Sequence, residues 1–581
     1  MTATTRFRIV ALTVMIGCIA LSIGWRLYEI QVLRCESLRR RAFDQHQDRL
    51  VVPATRGAIV DRQGRLLALS QETRSLYAHP RRVGDAERAA KLLAPVLNRS
   101  EPELRRQLDS NKSFVYLQRF LDPEVADRVV ELNLQDEFDG AFGFDSEPRR
   151  VYPLDELAVH VVGFATIDGE GVEGIELKYN EALKGDPKIY LLLRDGHADG
   201  TRKLIRDARK KPSDVVLSID VVLQHIVERE LDRAVREYRP LGASAVLLDP
   251  STGEVLALAN RPTVDANGFG NAAFKAQRNR AVTNRFEPGS TFKTVTMAAA
   301  FEQGKVRTDQ KIFCERGVYI TGSRTIRDIS PQGSLTPGQI LMKSSNIGMS
   351  KIVLSMTSHE LHDSLTAFGF GSPTGIELPG ESGGFLRPVE KWSGHSQASL
   401  AFGQELSVTA VQMASAIAVI ANDGVLVPPR IVLGTRDPDG KLHRTTAPPT
   451  RRVIRTETAR VVTQMMEDVV KLGHDHPASV AGYRVAGKTG TAQKFVDGTY
   501  SDTDYVPSFG GFAPVSDPQL VLFVVIDTPR GGEYLGGKVA APVFARIMTE
   551  ALRYLRVPSE DPLAPYTTTG RDTLVTRRMA P

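Results

Sequence analysis

The chain has 581 residues, more than one domain's worth, and its 42% hydrophobic and 24% charged content is that of an ordinary globular protein. A formal net charge of +6 is small for this length and gives no footing for nucleic-acid binding. Three cysteines are too few for a disulfide framework and leave the compartment open.

Ile9 to Trp25 is uncharged and mostly apolar, flanked by Arg6, Arg8 and Arg26. Leu27, Tyr28, Ile30, Val32 and Leu33 extend it, so residues 9–33 form an expected membrane anchor behind a short tail, 1–8. A cleaved signal peptide is the competing reading, but no small-x-small site follows the run. Charge does not fix the orientation, because arginines are more numerous after the span than before it.

Arg56 to Ala68 reads as two short strands around a turn at Gln63-Gly64. A charged helical pattern runs from about Asp85 to Leu132. Arg150-Val151-Tyr152-Pro153 and Gly171-Val172-Glu173-Gly174-Ile175-Glu176 punctuate a mixed region. Nothing between 50 and 210 has catalytic spacing, so this stretch is expected to be a non-catalytic domain. The basic run Arg206 to Lys211 leads out of it as a solvated loop.

A second domain, 213–557, opens with a strand at Val215–Ile219 and a helix at Val221–Tyr238. Strands at Ala243–Leu248 and Glu254–Ala259 form a hairpin. Further helical patterns follow, among them Thr409–Asn422. Leu520–Ile526 is a near-continuous apolar strand, and Ala541–Leu555 a closing helix. Strands at both ends with helices between them predict an α+β fold with a largely antiparallel sheet. Residues 558–581 are polar and proline-containing, the composition of a disordered tail.

Chemistry concentrates at Phe286-Glu287-Pro288-Gly289-Ser290-Thr291-Phe292-Lys293. Pro288 and Gly289 break the chain, and a helix is expected from Ser290 to Gly304. Lys293 then lies on the same helix face as Ser290. A serine hydroxyl needs a base, and an amine kept neutral by burial or neighbouring cations can serve. Two further motifs, each present once, follow: Ser344-Ser345-Asn346 and Lys488-Thr489-Gly490. Ser344 can pass a proton between Lys293 and a leaving amine, and the Asn346 amide can bond both a lysine and a substrate carbonyl. Lys488 adds charge that attracts a carboxylate and lowers the Lys293 pKa. The Thr489 and Thr491 hydroxyls can hold a terminal carboxylate, while Gly490 leaves a strand edge open for an extended peptide.

Ser-x-x-Lys, Ser-x-Asn and Lys-Thr-Gly in this order resemble the penicillin-binding proteins and serine β-lactamases. The chain resembles a class B penicillin-binding protein along nearly its whole length, and most of all the FtsI-type transpeptidase of division. Arg56 to Arg62, Arg150 to Pro153 and Gly171 to Glu176 resemble signatures of that family's pedestal. Phe402-Gly403-Gln404 with Thr409 and Gln412 resembles the segment behind its active site.

The resemblance implies a penicillin-binding/β-lactamase-like transpeptidase domain, a mixed N-terminal pedestal and one transmembrane helix. It also implies a D,D-transpeptidase. Ser290 attacks the penultimate D-alanine of a stem peptide, Lys293 is the base, and the backbone N–H groups of Ser290 and Thr491 form the oxyanion hole. No cofactor and no metal is called for. Expected partners are peptidoglycan stem peptides, β-lactams as inhibitors, and an FtsW-type glycosyltransferase with other divisome proteins. An elongation-type transpeptidase, which tends to carry aspartate in place of Asn346, and a non-catalytic β-lactam sensor are the alternatives. The chain departs from the family at Asp155, where glycine is usual. It departs again at Gly473-His474-Asp475-His476-Pro477, where a glycine-rich loop is usual; two exposed imidazoles are expected there rather than a metal site.

Overall fold

The computed structural model describes residues 3–35, 47–52, 55–186, 188–193, 201–206, 211–271, 273–321, 324–471, 476–496 and 498–560. They divide into two units, Met1–Thr55 with Gly185–Lys211, and Arg56–Lys184 with Pro212–Pro581. Residues 561–581 of the expected tail and Gly473, His474 and Asp475 of the expected histidine loop lie outside the described residues.

In the first unit, a helix runs from Ala3 to Tyr28 and continues as one wider turn over Glu29–Leu33. Phe7–Leu33 is long and apolar enough to cross a membrane. Strands Gln47–Val52, Lys188–Leu193 and Thr201–Arg206 form a three-stranded antiparallel sheet. Residues 47–52, 188–193 and 201–206 thus fall in this unit, and 56–184 in the other.

The second unit carries a mixed seven-stranded sheet. Ile59–Val60 and Leu66–Ala78 form the expected hairpin, and Leu66–Ala78 pairs with both Val115–Leu121 and Phe142–Val151. The helical pattern expected over 85–132 resolves into helices Ala86–Leu97, Glu101–Leu108 and Pro123–Glu131 with the strand Val115–Leu121 among them. Val115, Tyr116 and Phe120 favour a strand, and pairing with Leu66–Ala78 overrides the helical spacing of their neighbours.

The three sequence signatures of this region meet in one buried cluster. Arg56 Nε donates to Glu176 Oε2 at 2.6 Å, and Arg150 Nε to Glu176 Oε1 at 2.7 Å. The Tyr152 hydroxyl reaches the same carboxylate at 3.3 Å and accepts from the Ala165 N–H at 2.8 Å. Glu176 is fully buried, so two guanidinium groups compensate one desolvated carboxylate. Asp155 takes φ = 51°, the left-handed region where glycine is the default and aspartate is tolerated. Its Oδ1 accepts from Asn267 Nδ2 at 3.2 Å, which explains how the chain manages without the usual glycine.

The catalytic-type region is a five-stranded antiparallel sheet between two helical layers. Its strands are β1 (Gly242–Leu248), β2 (Val255–Arg261), β3 (Ala486–Val496), β4 (Thr499–Ala513) and β5 (Leu520–Asp527), in the order β2-β1-β5-β4-β3. The helices used below are α1 (Val221–Tyr238), α2 (Lys293–Glu302), α3 (Pro337–Lys343), α4 (Asn346–Val353), α5 (Ala410–Ala421) and α6 (Gly536–Tyr554). α1 and α6 bury one face of the sheet; α2 and α5 lie in the core on the other. Among the described residues β3 is an edge strand, paired only with β4. α6 starts at Gly536, not at Ala541 as expected, because Pro542 falls inside the helix rather than at its first turn.

Candidate active site

The nucleophile segment is not helical from Ser290. Gly289–Phe292 forms a single 3-10 turn, and the α-helix begins at Lys293. Gly289 takes φ = 55° and its N–H donates to the Gly403 carbonyl at 3.2 Å. A side chain at Gly403 would meet Gly289 O at 2.3 Å, so only glycine allows that approach.

Ser290 and Lys293 are joined through Ser344. Ser344 Oγ lies 2.9 Å from Ser290 Oγ, and Lys293 Nζ lies 3.2 Å from Ser344 Oγ. Lys293 Nζ also donates to the Ser344 carbonyl at 2.6 Å and to Asn346 Oδ1 at 2.7 Å. Ser344 caps α3 at φ = 55°, a costly conformation for a residue with a Cβ. Lys293 is fully buried. Burial pushes its amine well below the usual lysine range, the Lys488 ammonium pushes the same way, and the Asp328 carboxylate opposes both. A neutral amine has two N–H bonds and one lone pair. The two short contacts to oxygen acceptors use both N–H bonds, which leaves the lone pair for the Ser344 hydroxyl. The arrangement can carry a proton from Ser290 through Ser344 to Lys293.

Asp328 is the residue that the sequence reading missed. Its carboxylate accepts from Ser345 Oγ at 2.6 Å, the Asn346 N–H at 2.6 Å and the Ile347 N–H at 3.1 Å. It thereby caps α4 and fixes the Ser-x-Asn motif. No sequence spacing announces it, because it reaches α4 from the end of a separate hairpin strand, Arg324–Arg327.

On β3, Lys488 is buried, its Nζ lies 3.2 Å from the Thr489 carbonyl, and burial lowers its pKa to about 8. A Cβ at Gly490 would meet Ser508 Oγ at 2.5 Å and Thr291 Cγ2 at 2.9 Å. The glycine therefore admits the nucleophile turn against the strand; the open edge expected for a peptide comes from β3 being outermost. Thr491 Oγ1 accepts from the Gly536 N–H at 2.9 Å, which leaves its O–H free to donate. The Gly536-Gly537 pair in the sequence was the available signal for this contact: a Cβ at Gly536 would meet Gly490 O at 2.1 Å.

Behind the nucleophile, Glu287 Oε1 accepts from the Glu405 N–H at 2.9 Å and the Tyr500 hydroxyl at 3.2 Å. The Glu405 carboxylate in turn accepts from Ser396, Ser399, Arg324 and Arg387. Thr409 and Gln412 form the capping box of α5. His476 is not exposed as expected: it is half-buried, and burial followed by Lys488 holds its pKa down.

Family models match two stretches of the chain. Residues 243–549 match the penicillin binding protein transpeptidase domain, and 51–217 the penicillin-binding protein dimerisation domain. The chain belongs to the class B penicillin-binding proteins of the FtsI type. It is 36% identical to a probable peptidoglycan D,D-transpeptidase PenA of Neisseria gonorrhoeae, over 96% of this chain and 94% of that one. It is 34% identical to the peptidoglycan D,D-transpeptidase FtsI of Escherichia coli K12, over 93% and 91%. Among solved structures, penicillin-binding protein 3 of Mycobacterium tuberculosis complexed with aztreonam matches with TM-score 0.68 at 31% identity, covering 89% of this chain and 99% of that one.

Proposed function

We propose that this class B penicillin-binding protein is a peptidoglycan D,D-transpeptidase of the division septum, working through an acyl-enzyme on Ser290. The observation that carries the mechanism is the Ser290–Ser344–Lys293 chain, with the Lys293 amine held down by burial. Ser290 attacks the penultimate D-alanyl carbonyl and its proton passes through Ser344 to Lys293. The proton returns through Ser344 to the departing D-alanine amine. An amine of a neighbouring stem peptide then takes the acyl group; the Ser290 ester breaks, and the amine's proton passes by Lys293 and Ser344 back to Ser290 Oγ, closing the cross-link. Lys488, Thr489 and Thr491 hold the terminal carboxylate, and Asn346 bonds the peptide amide. The Ser290 and Thr491 N–H groups take the developing oxyanion, each donor contributing roughly 3 kcal/mol.

A β-lactam presents the same acyl group and carboxylate, so it acylates Ser290. A fluorescent penicillin is expected to label the full chain, and Ser290→Ala to abolish labelling. Persistent labelling of that variant would remove Ser290 from the mechanism, and rapid release of hydrolysed drug would replace transpeptidation with β-lactamase activity.

Asn346 and the likeness to FtsI support division over elongation. Depletion is expected to give filaments; round cells would transfer the protein to elongation. The Phe7–Leu33 helix supports a single membrane anchor, with the catalytic region on the extracytoplasmic side where stem peptides are cross-linked. An FtsW-type glycosyltransferase is the expected partner: the matched domains are a transpeptidase and a dimerisation domain, and cross-linking acts on glycan strands that a polymerase must supply.

A further inference from the structure

A cavity of about 180 Å³ is lined by residues of β1, β3, β4 and β5, the start of α5 and the segment from Arg280 to Phe286. Its floor is apolar: Ala243, Phe286, Ala410, Val506 and Val525. Its polar lining is unbalanced. Arg280, Arg285, Asn284 and Lys494 bring donors, against one carboxylate, Asp527. That carboxylate already accepts from Lys494 at 2.8 Å and from the Thr528 hydroxyl at 2.8 Å.

Arg280 is the least satisfied of these groups. Its Nε is buried and makes no hydrogen bond among the described residues. Among the described residues its side chain makes one hydrogen bond, a long one, from Nη2 to the Lys275 carbonyl at 3.4 Å. Gly242 gives it room: a Cβ there would sit 3.3 Å from Nη1. Burial, with Arg278 adding to it, holds the guanidinium below its usual range, and Asp527 opposes only in part. Arg285 makes no ion pair or hydrogen bond among the described residues. A guanidinium carries five N–H donors and no acceptor, and leaving such donors buried without partners is costly. Arg280 therefore lines the cavity with a buried donor that no acceptor among the described residues takes, and Arg285 adds a second, solvated guanidinium beside it.

We propose that this cavity is a binding site for a small oxyanion, a carboxylate or a phosphate, held by Arg280 and Arg285 on the apolar floor of Phe286 and Val506. The fork of Arg280 suits two-point contact with such a group. A volume of about 180 Å³ is below that of usual small-molecule sites. It admits a terminal group of a larger molecule rather than a whole one. None of Lys488, Thr489 and Thr491 lines it, and Phe286, which does, leads in the chain into the Ser290 turn.

The test uses the full chain in detergent, first acylated with penicillin so that the Lys488 pocket is filled; labelling is read separately. Inorganic phosphate, added at matched ionic strength with sodium chloride, is expected to raise the melting temperature saturably. Arg280→Gln and Arg285→Gln are each expected to raise the half-saturating phosphate by about tenfold, the loss of one charge-assisted hydrogen bond, while both variants still label with penicillin. Arg285 is exposed, so its variant keeps the test valid if Arg280→Gln unfolds. A short peptide ending in a free carboxylate, compared with its C-terminal amide, identifies the source: stabilisation by the acid alone assigns a peptide carboxylate, and stabilisation by phosphate alone a phosphoryl group. No saturable stabilisation, or the same phosphate response in both arginine variants as in the parent chain, overturns the proposal.

Discussion

At the residue scale, the decisive quantity is the charge on Lys293. In the proposed mechanism acylation through Ser344 requires the neutral amine, so the rate is expected to rise with pH through the Lys293 pKa and level off above it. Burial and Lys488 depress that pKa, and Asp328 raises it. The signs follow. Lys488→Gln removes a neighbouring positive charge, so the ammonium becomes less unfavourable and the acid limb moves to higher pH. Asp328→Asn removes a negative charge, so the limb moves to lower pH. Each shift should be on the order of one pH unit. Stopped-flow acylation by a fluorescent penicillin reads the midpoint apart from the amplitude, which falls in both variants. If the midpoint stays fixed in both, a different group titrates. The three motifs could be read from the sequence because their residue types and order are informative in themselves. Asp328 could not, because a capping carboxylate supplied from another hairpin leaves no local pattern.

At the element scale, the pedestal depends on one carboxylate. Glu176 takes Arg56 and Arg150, whose side chains are 5% exposed. Glu176→Ala would leave two buried guanidinium groups unpaired, at a cost of about 3–5 kcal/mol. The expected outcome is a lower melting temperature with penicillin labelling retained at room temperature. An unchanged melting temperature would mean that water replaces the carboxylate at no cost. In the sequence Arg56, Arg150 with Tyr152, and Glu176 stand in three separate signatures. Only the tertiary meeting of a hairpin, a strand end and a short helix joins them. Elements set by strong local signals were legible. Val221–Tyr238 appeared at its expected bounds, and Thr409 with Gln412 marks the start of α5. Val115–Leu121 was not legible, because its strand conformation is imposed by Leu66–Ala78 beside it.

At the scale of the whole molecule, chain order and sheet membership diverge. The pedestal strands Ile59–Val60 and Leu66–Ala78 share a sheet with Asp214–Leu217, Val432–Arg436 and Leu442–Arg444. Ile59–Val60 pairs in parallel with Val215–Val216, and Asp214–Leu217 in turn with Val432–Arg436. Ion pairs span the same junction: Arg62 meets Glu254 at 3.3 Å, and Glu254 meets Arg430 at 2.7 Å. A chain cut to residues 56–217 would lose Val432–Arg436 and expose the edge of Asp214–Leu217, where Val215 and Leu217 are fully buried in the intact protein. Bare apolar edges of this kind template aggregation. Residues 56–217 alone are therefore expected to be insoluble or oligomeric by size-exclusion chromatography, and 56–560 with 185–211 replaced by a short linker to be monomeric. A soluble, monomeric 56–217 fragment would mean that the pedestal closes its sheet without the later strands. The junction would then be a docking of two finished domains rather than one sheet that neither can complete alone.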